Sequence, residues 1–298
     1  MEVDEYEVKV SSLDKIFYEK VGVTKGDMID YYMKIFSTME PHIAERPLTL
    51  HRYPDGVKGE DFYQKETPDD IPDYVETVEI EKKENGSQQQ LLCSNKATLV
   101  YLANLGTIEF HIWLCRRDKL HHPDKLVFDL DPPGDDFEPV RDAAFDLKDM
   151  MEEIKLKPYV MTTGSDGLHV AASLDREHEF DGVRDFAEKI ASQLAADNPK
   201  KYTTEIRKNK RQGRLFLDVA RNAYGQTSVV PYSLRAREEC SVATPLDWDE
   251  LHDSDIYSRS YTIENIFQRL GQKDDPWEDF YESPSSLDKV IEKIENLE

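Results

Sequence analysis

The chain has 298 residues, with 61 acidic side chains against 38 lysines and arginines and a formal net charge of −23. Such a length buries a substantial core and suits one large domain or two closely joined lobes. The charge excludes a protein that binds nucleic acid over its whole surface, because affinity for DNA comes largely from cations that displace counterions from phosphates. No stretch is apolar over membrane thickness, and the opening MEVDEYEVKV lacks the basic and apolar parts of a signal peptide, so a cytoplasmic location with no membrane partner is expected. Cys93, Cys115 and Cys240 are far apart and lack C-x-x-C spacing; they read as small buried hydrophobes, neither a disulfide framework nor a zinc site.

Thr24 is a candidate N-cap with Asp27 three residues on, and Ile29, Tyr32, Met33 and Phe36 follow at helical spacing, with Lys25 in the first turn. From Pro41 to Asn95 the text is rich in proline, glycine and polar residues, with strand-like pieces such as 74–80 and a turn at Asn85-Gly86, which together predict a small N-terminal lobe. The segments 107–113 and 125–131 alternate like strands. The second runs into Pro132-Pro133-Gly134, which ends a central strand, and then into a helix carrying Val140, Ala144, Leu147 and Met151. Strands near 159–162 and 168–174 bracket a glycine turn, a helix carries Val183, Phe186, Ala187, Ile190 and Leu194, and 214–220 alternates again. Two short helices, with Ile263, Ile266, Phe267 and Leu270 and then Leu287, Val290, Ile291 and Ile294, are expected to pack back on the body.

Within Phe128-Asp129-Leu130-Asp131 the strand period places both carboxylates on one face, at a tip exposed by the prolines. Like charges so close repel unless a cation lies between them, which suggests a hard-metal site. With this many acids, about a dozen such i, i+2 pairs arise by chance, so the pair alone is equally a solvated strand end. Asp218, inside Leu215-Phe216-Leu217-Asp218-Val219, adds weight: an acid at a core-like position needs a partner. Three carboxylates suit the two-metal chemistry of phosphoryl and nucleotidyl transfer. In Thr163-Gly164-Ser165-Asp166-Gly167-Leu168-His169 the glycines let backbone amides approach a phosphate and Ser165 and His169 can contact it; a tight hairpin with a core histidine is the alternative. Lys200, Lys201, Arg207, Lys208, Lys210, Arg211, Arg214 and Arg221 form a basic stripe that reads as a local polyanion site or as a solvated edge.

These motifs resemble the polymerase domain of bacterial DNA ligase D and its stand-alone relatives, members of the archaeo-eukaryotic primase superfamily used in non-homologous end joining. The likeness spans most of the chain: Leu13-Asp14-Lys15, Thr24-Lys25, Asn104-Leu105-Gly106, Glu109-Phe110-His111-Ile112-Trp113, Phe128-Asp129-Leu130-Asp131-Pro132, Thr163-Gly164-Ser165, Gly167-Leu168-His169, Gly213-Arg214-Leu215-Phe216-Leu217-Asp218, Arg221-Asn222 and Pro231-Tyr232-Ser233-Leu234-Arg235-Ala236. It implies an α+β fold, a single primase-polymerase domain over 1–298 with an N-terminal DNA-binding lobe at 1–95, a catalytic lobe at 96–253 and C-terminal helices at 254–298. The sheet is expected to be mixed or antiparallel and to carry the three acids, with helices on its outer face. The resemblance further implies Asp129, Asp131 and Asp218 as ligands of two manganese or magnesium ions, with His111 beside them. Ser165, His169, Arg211 and Arg235 would face the triphosphate of an NTP or dNTP, ribonucleotides being often preferred. Lys15 and Lys25 would hold the 5′-phosphate of a gap or double-strand break, where a helix N-terminus offers free amides. His51-Arg52 would touch the template, and Phe62-Tyr63 would stack on a base or simply anchor a loop.

Asp166 departs from relatives, which usually carry a base there, and no K-x-D-G ligase motif is present, so a Ku-like end-binding protein and a separate ligase are expected partners of a nucleoid-associated enzyme. Three other functions fit parts of the pattern: a replicative primase or primase-polymerase, a non-catalytic DNA-end-binding module, and a metal-dependent nuclease.

Overall fold

The structure, a computed structural model, describes the backbone of residues 1–81, 86–134 and 136–295. Asn85, half of the turn expected at Asn85-Gly86, lies outside the described residues. The chain is α+β and forms two compact units: Met1–Arg117, Thr227–Ala243 and Tyr261–Arg269 in one, Asp118–Gln226, Thr244–Ser260 and Leu270–Glu298 in the other. They interleave along the chain. Among the described residues no helix is long and apolar enough to cross a membrane, and all three cysteines are buried.

The first unit is built on an antiparallel sheet in the order Thr227–Val229, Thr107–Trp113, Leu48–Arg52, Phe62–Gln64, with a separate hairpin of Thr77–Glu81 and Ser87–Leu91. The helix Lys25–Ile43 starts where its sequence predicts. The Thr24 hydroxyl accepts a hydrogen bond from the Asp27 amide, and the Asp27 carboxylate accepts one from the Thr24 amide, a reciprocal cap. A second helix, Lys96–Asn104, is capped by Asn95 and packs against the first. Tyr32 ties the unit together: its hydroxyl donates to the Ile108 carbonyl at 2.5 Å and accepts from the Leu234 amide at 3.0 Å.

The second unit holds a six-stranded mixed sheet in the order Tyr202–Thr203, Leu215–Asp218, Lys125–Asp131, Leu168–Ser173, Tyr159–Thr162, Thr244–Leu246. Only the first pair is parallel. The helices Glu138–Glu153 and Phe180–Asp197 pack on strands of this sheet and on each other, burying Val140, Ala144, Leu147 and Met151 from one and Val183, Phe186, Ala187, Ile190 and Leu194 from the other. The 3.6-residue spacing of those apolar positions is what makes each helix one-sided. Near the C-terminus, Trp277 donates its indole N–H to the Val160 carbonyl at 3.0 Å, and the buried Lys125 ammonium lies 5.2 and 5.0 Å from the Trp277 and Phe280 rings.

Candidate active site

The strand Lys125–Asp131 is the middle of the acidic site. Leu126, Phe128 and Leu130 are buried, and Asp129 and Asp131 alternate with them on the opposite face. The antiparallel pairing with Leu215–Asp218 sets Asp218 directly across from Asp129, and directly opposed residues of a sheet share a face. All three predicted acids are therefore gathered on one side of two neighbouring strands. The pairing covers only Asp129, Leu130 and Asp131. Two residues earlier the side chain of Asn222 replaces a strand, accepting from the Val127 amide at 2.9 Å and donating to the Val127 carbonyl at 2.7 Å.

Asp129 is the deepest of the three, 6 % exposed. Nε2 of His169 lies 3.4 Å from one of its oxygens and Arg221 donates to the other at 3.1 Å. Burial pushes the Asp129 carboxyl up, but the charges and hydrogen bonds of His169 and Arg221 outweigh it and hold the group below the usual carboxylate range. Asp131 goes the other way. Burial of its carboxyl and the charge of Asp129 push it up to about 6. Asp218 accepts from the Ala220 amide at 2.8 Å.

As the side chains stand, no group of three or more His, Cys, Asp or Glu among the described residues is arranged to hold a metal ion. The donor chemistry nevertheless fits a hard divalent cation: carboxylate oxygens on one face, one of them carrying a charge that its surroundings leave incompletely balanced. Arg221 and His169 hold the place of positive charge at Asp129.

The glycine hairpin lies against the acids. A Cβ on Gly167 would fall 2.0 Å from the Leu130 carbonyl oxygen and 2.8 Å from the Asp131 carboxylate, so only glycine allows this approach. Ser165 is tied in place by a hydrogen bond from the Ser258 hydroxyl to its carbonyl at 2.9 Å, and its own hydroxyl donates to Asp166 at 3.2 Å. Asp166 lines a polar cavity of about 560 Å³ with Asp131, Phe137, Lys208, Tyr257 and Arg259. The acid that departs from the expected base thus shares its space with two cations. Arg211, expected at the triphosphate, donates to the carbonyls of Glu205 and Ile206 at 3.0 and 2.8 Å.

A family model described as "LigD, primase-polymerase domain" matches residues 24–277. The chain belongs to that family. It is 33 % identical over 279 residues to the "Bifunctional non-homologous end joining protein LigD" of Bacillus subtilis, covering 93 % of this chain and 44 % of that protein. It is 32 % identical over 277 residues to the "Multifunctional non-homologous end joining protein LigD" of Mycolicibacterium smegmatis, covering 92 % and 36 %. The chain therefore spans less than half the length of these relatives. Its structure resembles the polymerase domain from Mycobacterium tuberculosis ligase D, solved in complex with DNA, with a TM-score of 0.87 and 28 % identity over 94 % of this chain and 100 % of that one.

The other residues expected of a LigD primase-polymerase domain lie in the first unit. His51, His111 and Arg235 converge on Glu109, a buried carboxylate whose partners the sequence does not reveal. Its oxygens lie 3.1, 3.3 and 3.1 Å from His51 Nδ1, His111 Nε2 and Arg235 Nε, and it accepts from the Ala236 amide at 2.9 Å. Burial alone would raise the Glu109 carboxyl; His111, His51 and the charge of Arg235 overcome it and hold it far below the ordinary range. His51 also places Nε2 2.7 Å from Asp61. Both of its ring nitrogens face carboxylates, an arrangement that favours the protonated imidazole. Burial opposes that charge, but Glu109 and Asp61 raise the imidazole above its usual value.

Tyr63 stacks on His51 at 3.9 Å, and Phe62 lies 5.1 Å from the Arg52 guanidinium; both rings are exposed. Arg52 itself donates to the Leu105 carbonyl and to Gln64, which fixes it to its own unit.

Lys15 and Lys25 come together at the start of the first helix, close enough that burial and the Lys15 charge lower the Lys25 ammonium. Lys15 donates to the Pro54 carbonyl at 2.9 Å and pairs with Asp55; Lys25 donates to the Ser11 carbonyl at 2.8 Å. The free amides expected at this helix end are occupied: Lys25 N donates to the Lys15 carbonyl, Gly26 N to that of Leu13, and Asp27 N to Thr24. An anion here would meet two ammonium groups, one of them paired with Asp55 and the other bonded to the Ser11 carbonyl, with the first-turn amides already satisfied.

Proposed function

We propose that the chain is a template-dependent nucleotidyltransferase that fills gaps and extends ends at 5′-phosphorylated DNA breaks in non-homologous end joining. The observation that carries this reading is the convergence of Asp129, Asp131 and Asp218 on one face of paired strands, with the Gly167 hairpin in contact with Leu130 and Asp131. Membership of the LigD primase-polymerase family and the names of the relatives support it. Two divalent ions, manganese or magnesium, supply charge that lowers the pKa of an attacking hydroxyl and neutralises a leaving pyrophosphate.

The chain's own residues do the rest. The primer 3′-hydroxyl attacks the α-phosphate and the bond to pyrophosphate breaks. Asp129, Asp131 and Asp218 hold the cations, and His111 stands at the primer end. Ser165 and His169, joined by Lys208 in the polar cavity, bind the triphosphate of a ribonucleotide in preference to a deoxyribonucleotide. Lys15 and Lys25 take the 5′-phosphate, His51 and Arg52 the template strand, and Phe62 and Tyr63 offer faces for stacking. Sealing requires a ligase activity, and end recognition a Ku-like protein.

Primer extension on gapped DNA with and without the downstream 5′-phosphate tests the reading. Removing that phosphate is expected to weaken binding and gap filling, and Lys15→Ala with Lys25→Ala to erase the difference. Equal binding with and without the phosphate would instead favour a replicative primase-polymerase.

A further inference from the structure

We propose that Glu109 is a positioning residue through which the template-side residues Tyr63 and His51 set the orientation of His111 at the primer end. The inference rests on the polymerase reading of Tyr63, His51 and His111 and adds the group that joins them. Sheet register brings the four together. Tyr63 lies opposite His51 in one strand pair and His51 opposite Glu109 in the next, and opposed residues share a face. The two-residue period of the strand Thr107–Trp113 puts His111 on that same face.

The contacts follow the row. The Tyr63 ring, 59 % exposed, stacks on His51 at 3.9 Å with 15° between the planes. His51 Nδ1 is 3.1 Å from Oε2 of Glu109, and His111 Nε2 is 3.3 Å from that same oxygen. The Tyr53 hydroxyl also lies 3.3 Å from His51 Nδ1. The other carboxylate oxygen, Oε1, accepts from the Ala236 amide at 2.9 Å and lies 3.1 Å from Arg235 Nε. Glu109 is only 5 % exposed, so these groups stand in place of water. One oxygen is anchored by a backbone amide and a guanidinium, which keeps the carboxylate from turning; the second is shared by two imidazoles.

A buried carboxylate set among an arginine and two histidines is a poor way to stabilise a sheet, because desolvation offsets the attraction. What the arrangement supplies is orientation. An ionised carboxylate only accepts hydrogen bonds, so Oε2 favours a proton on Nε2 of His111 and fixes the plane of its ring; in the neutral imidazole the lone pair then sits on Nδ1. Because His51 draws on the same oxygen, a shift of His51 under a template base stacked on Tyr63 changes the hold on His111. Glu109→Gln keeps the shape and reverses this pattern. Its amide oxygen stays with the two donors, the Ala236 amide and Arg235, which turns its NH2 group toward both imidazoles and favours the His111 proton on Nδ1.

The first test is nitrogen NMR of the imidazole rings in the metal-free chain, without DNA or nucleotide, at a pH of about 9, above the ordinary imidazole range. A His111→Gln variant identifies the His111 signals. Wild type is expected to carry the His111 proton on Nε2 and Glu109→Gln to carry it on Nδ1; the same tautomer in both folded proteins would overturn the proposal. In gap extension, Glu109→Gln is expected to lower kcat by roughly a hundred-fold while KM for the nucleotide stays within about three-fold. Tyr63→Ala is expected to lower kcat by about five-fold beside Glu109 and by less than about two-fold beside Gln at that position. Equal effects in the two backgrounds would overturn the coupling. Should Glu109→Gln fail to fold, Tyr63→Ala, at an exposed ring, decides alone: weaker DNA binding with kcat unchanged would overturn the proposal. The tautomer is read without metal, DNA or nucleotide, so failure of wild type to extend a primer bears on the polymerase reading alone.

Discussion

At the scale of single residues, the charge balance of the acidic face is carried by Asp131. Its folded carboxyl is raised to about 6 from an ordinary value near 3.8, so the folded state binds this proton more tightly than the unfolded chain does. The stability contributed by the group is present in full below the ordinary range and is lost as the pH rises through about 6. In the metal-free protein, Asp131→Asn is therefore expected to raise the melting temperature at pH 7, by roughly 2 °C because one side of the residue meets water, with little effect at pH 4. Added manganese should reverse the order by stabilising wild type more than the variant. Thermal melts at the two pH values check this, and a variant less stable than wild type at pH 7 without metal would contradict it.

Asp129 behaves differently because Arg221 and His169 already face it. That pairing was not legible in the sequence: Arg221 reads as one more member of a basic stripe, and only the fold brings it across 92 positions to the buried acid. Glu109 was hidden for a similar reason. Its alternation with Phe110 predicts a face but not the two histidines and the arginine that converge there.

At the scale of elements, the strand Lys125–Asp131 is held at two points, and each gives a prediction. Asn222→Ala leaves the Val127 amide and carbonyl without their partner, at a cost of about 2 kcal/mol, with a melting temperature expected to fall by roughly 5 °C. Gly167→Ala sets a methyl group against the Leu130 carbonyl and the Asp131 side chain. It should cost about 2 kcal/mol or more and displace the acids, so nucleotide transfer should fall further than stability does. Wild-type activity in a folded Gly167→Ala variant would show that the hairpin does not set the geometry of Asp131.

The elements around the site were readable because their patterns are strict. Helical spacing in 138–153 and 180–197 follows from one buried face each, and the period-two alternation in 107–113 and 125–131 from one apolar face set against a face that carries polar groups such as Glu109, Lys125 and Asp129. Lys96–Asn104 was missed because Ala97, Thr98, Leu99, Val100, Leu102 and Ala103 are all buried, which leaves no polar face to mark a period. The strand Leu48–Arg52 alternates over only Leu48-Thr49-Leu50-His51, between Pro47 and Pro54, too short a run to stand out from the proline-rich text around it.

At the scale of the whole molecule, a net charge of −23 and a DNA-directed function are compatible only if binding is local. Exposed cations gather in residues 207–214, and Lys15 and Lys25 meet at one helix end. Affinity for gapped DNA should therefore fall steeply between low and physiological salt, with a slope of only a few phosphates, and titrations at several salt concentrations measure it. A salt-independent affinity would contradict local phosphate binding.

The most direct measurement is primer extension with manganese on a gapped duplex bearing a 5′-phosphate, comparing wild type with Asp131→Asn and Asp218→Asn variants shown by circular dichroism to be folded. Wild type is expected to add nucleotides to the 3′ end, and each variant to lose at least about a thousand-fold in rate. Extension by either folded variant at the wild-type rate would contradict the assignment of the acidic face as the site of nucleotidyl transfer.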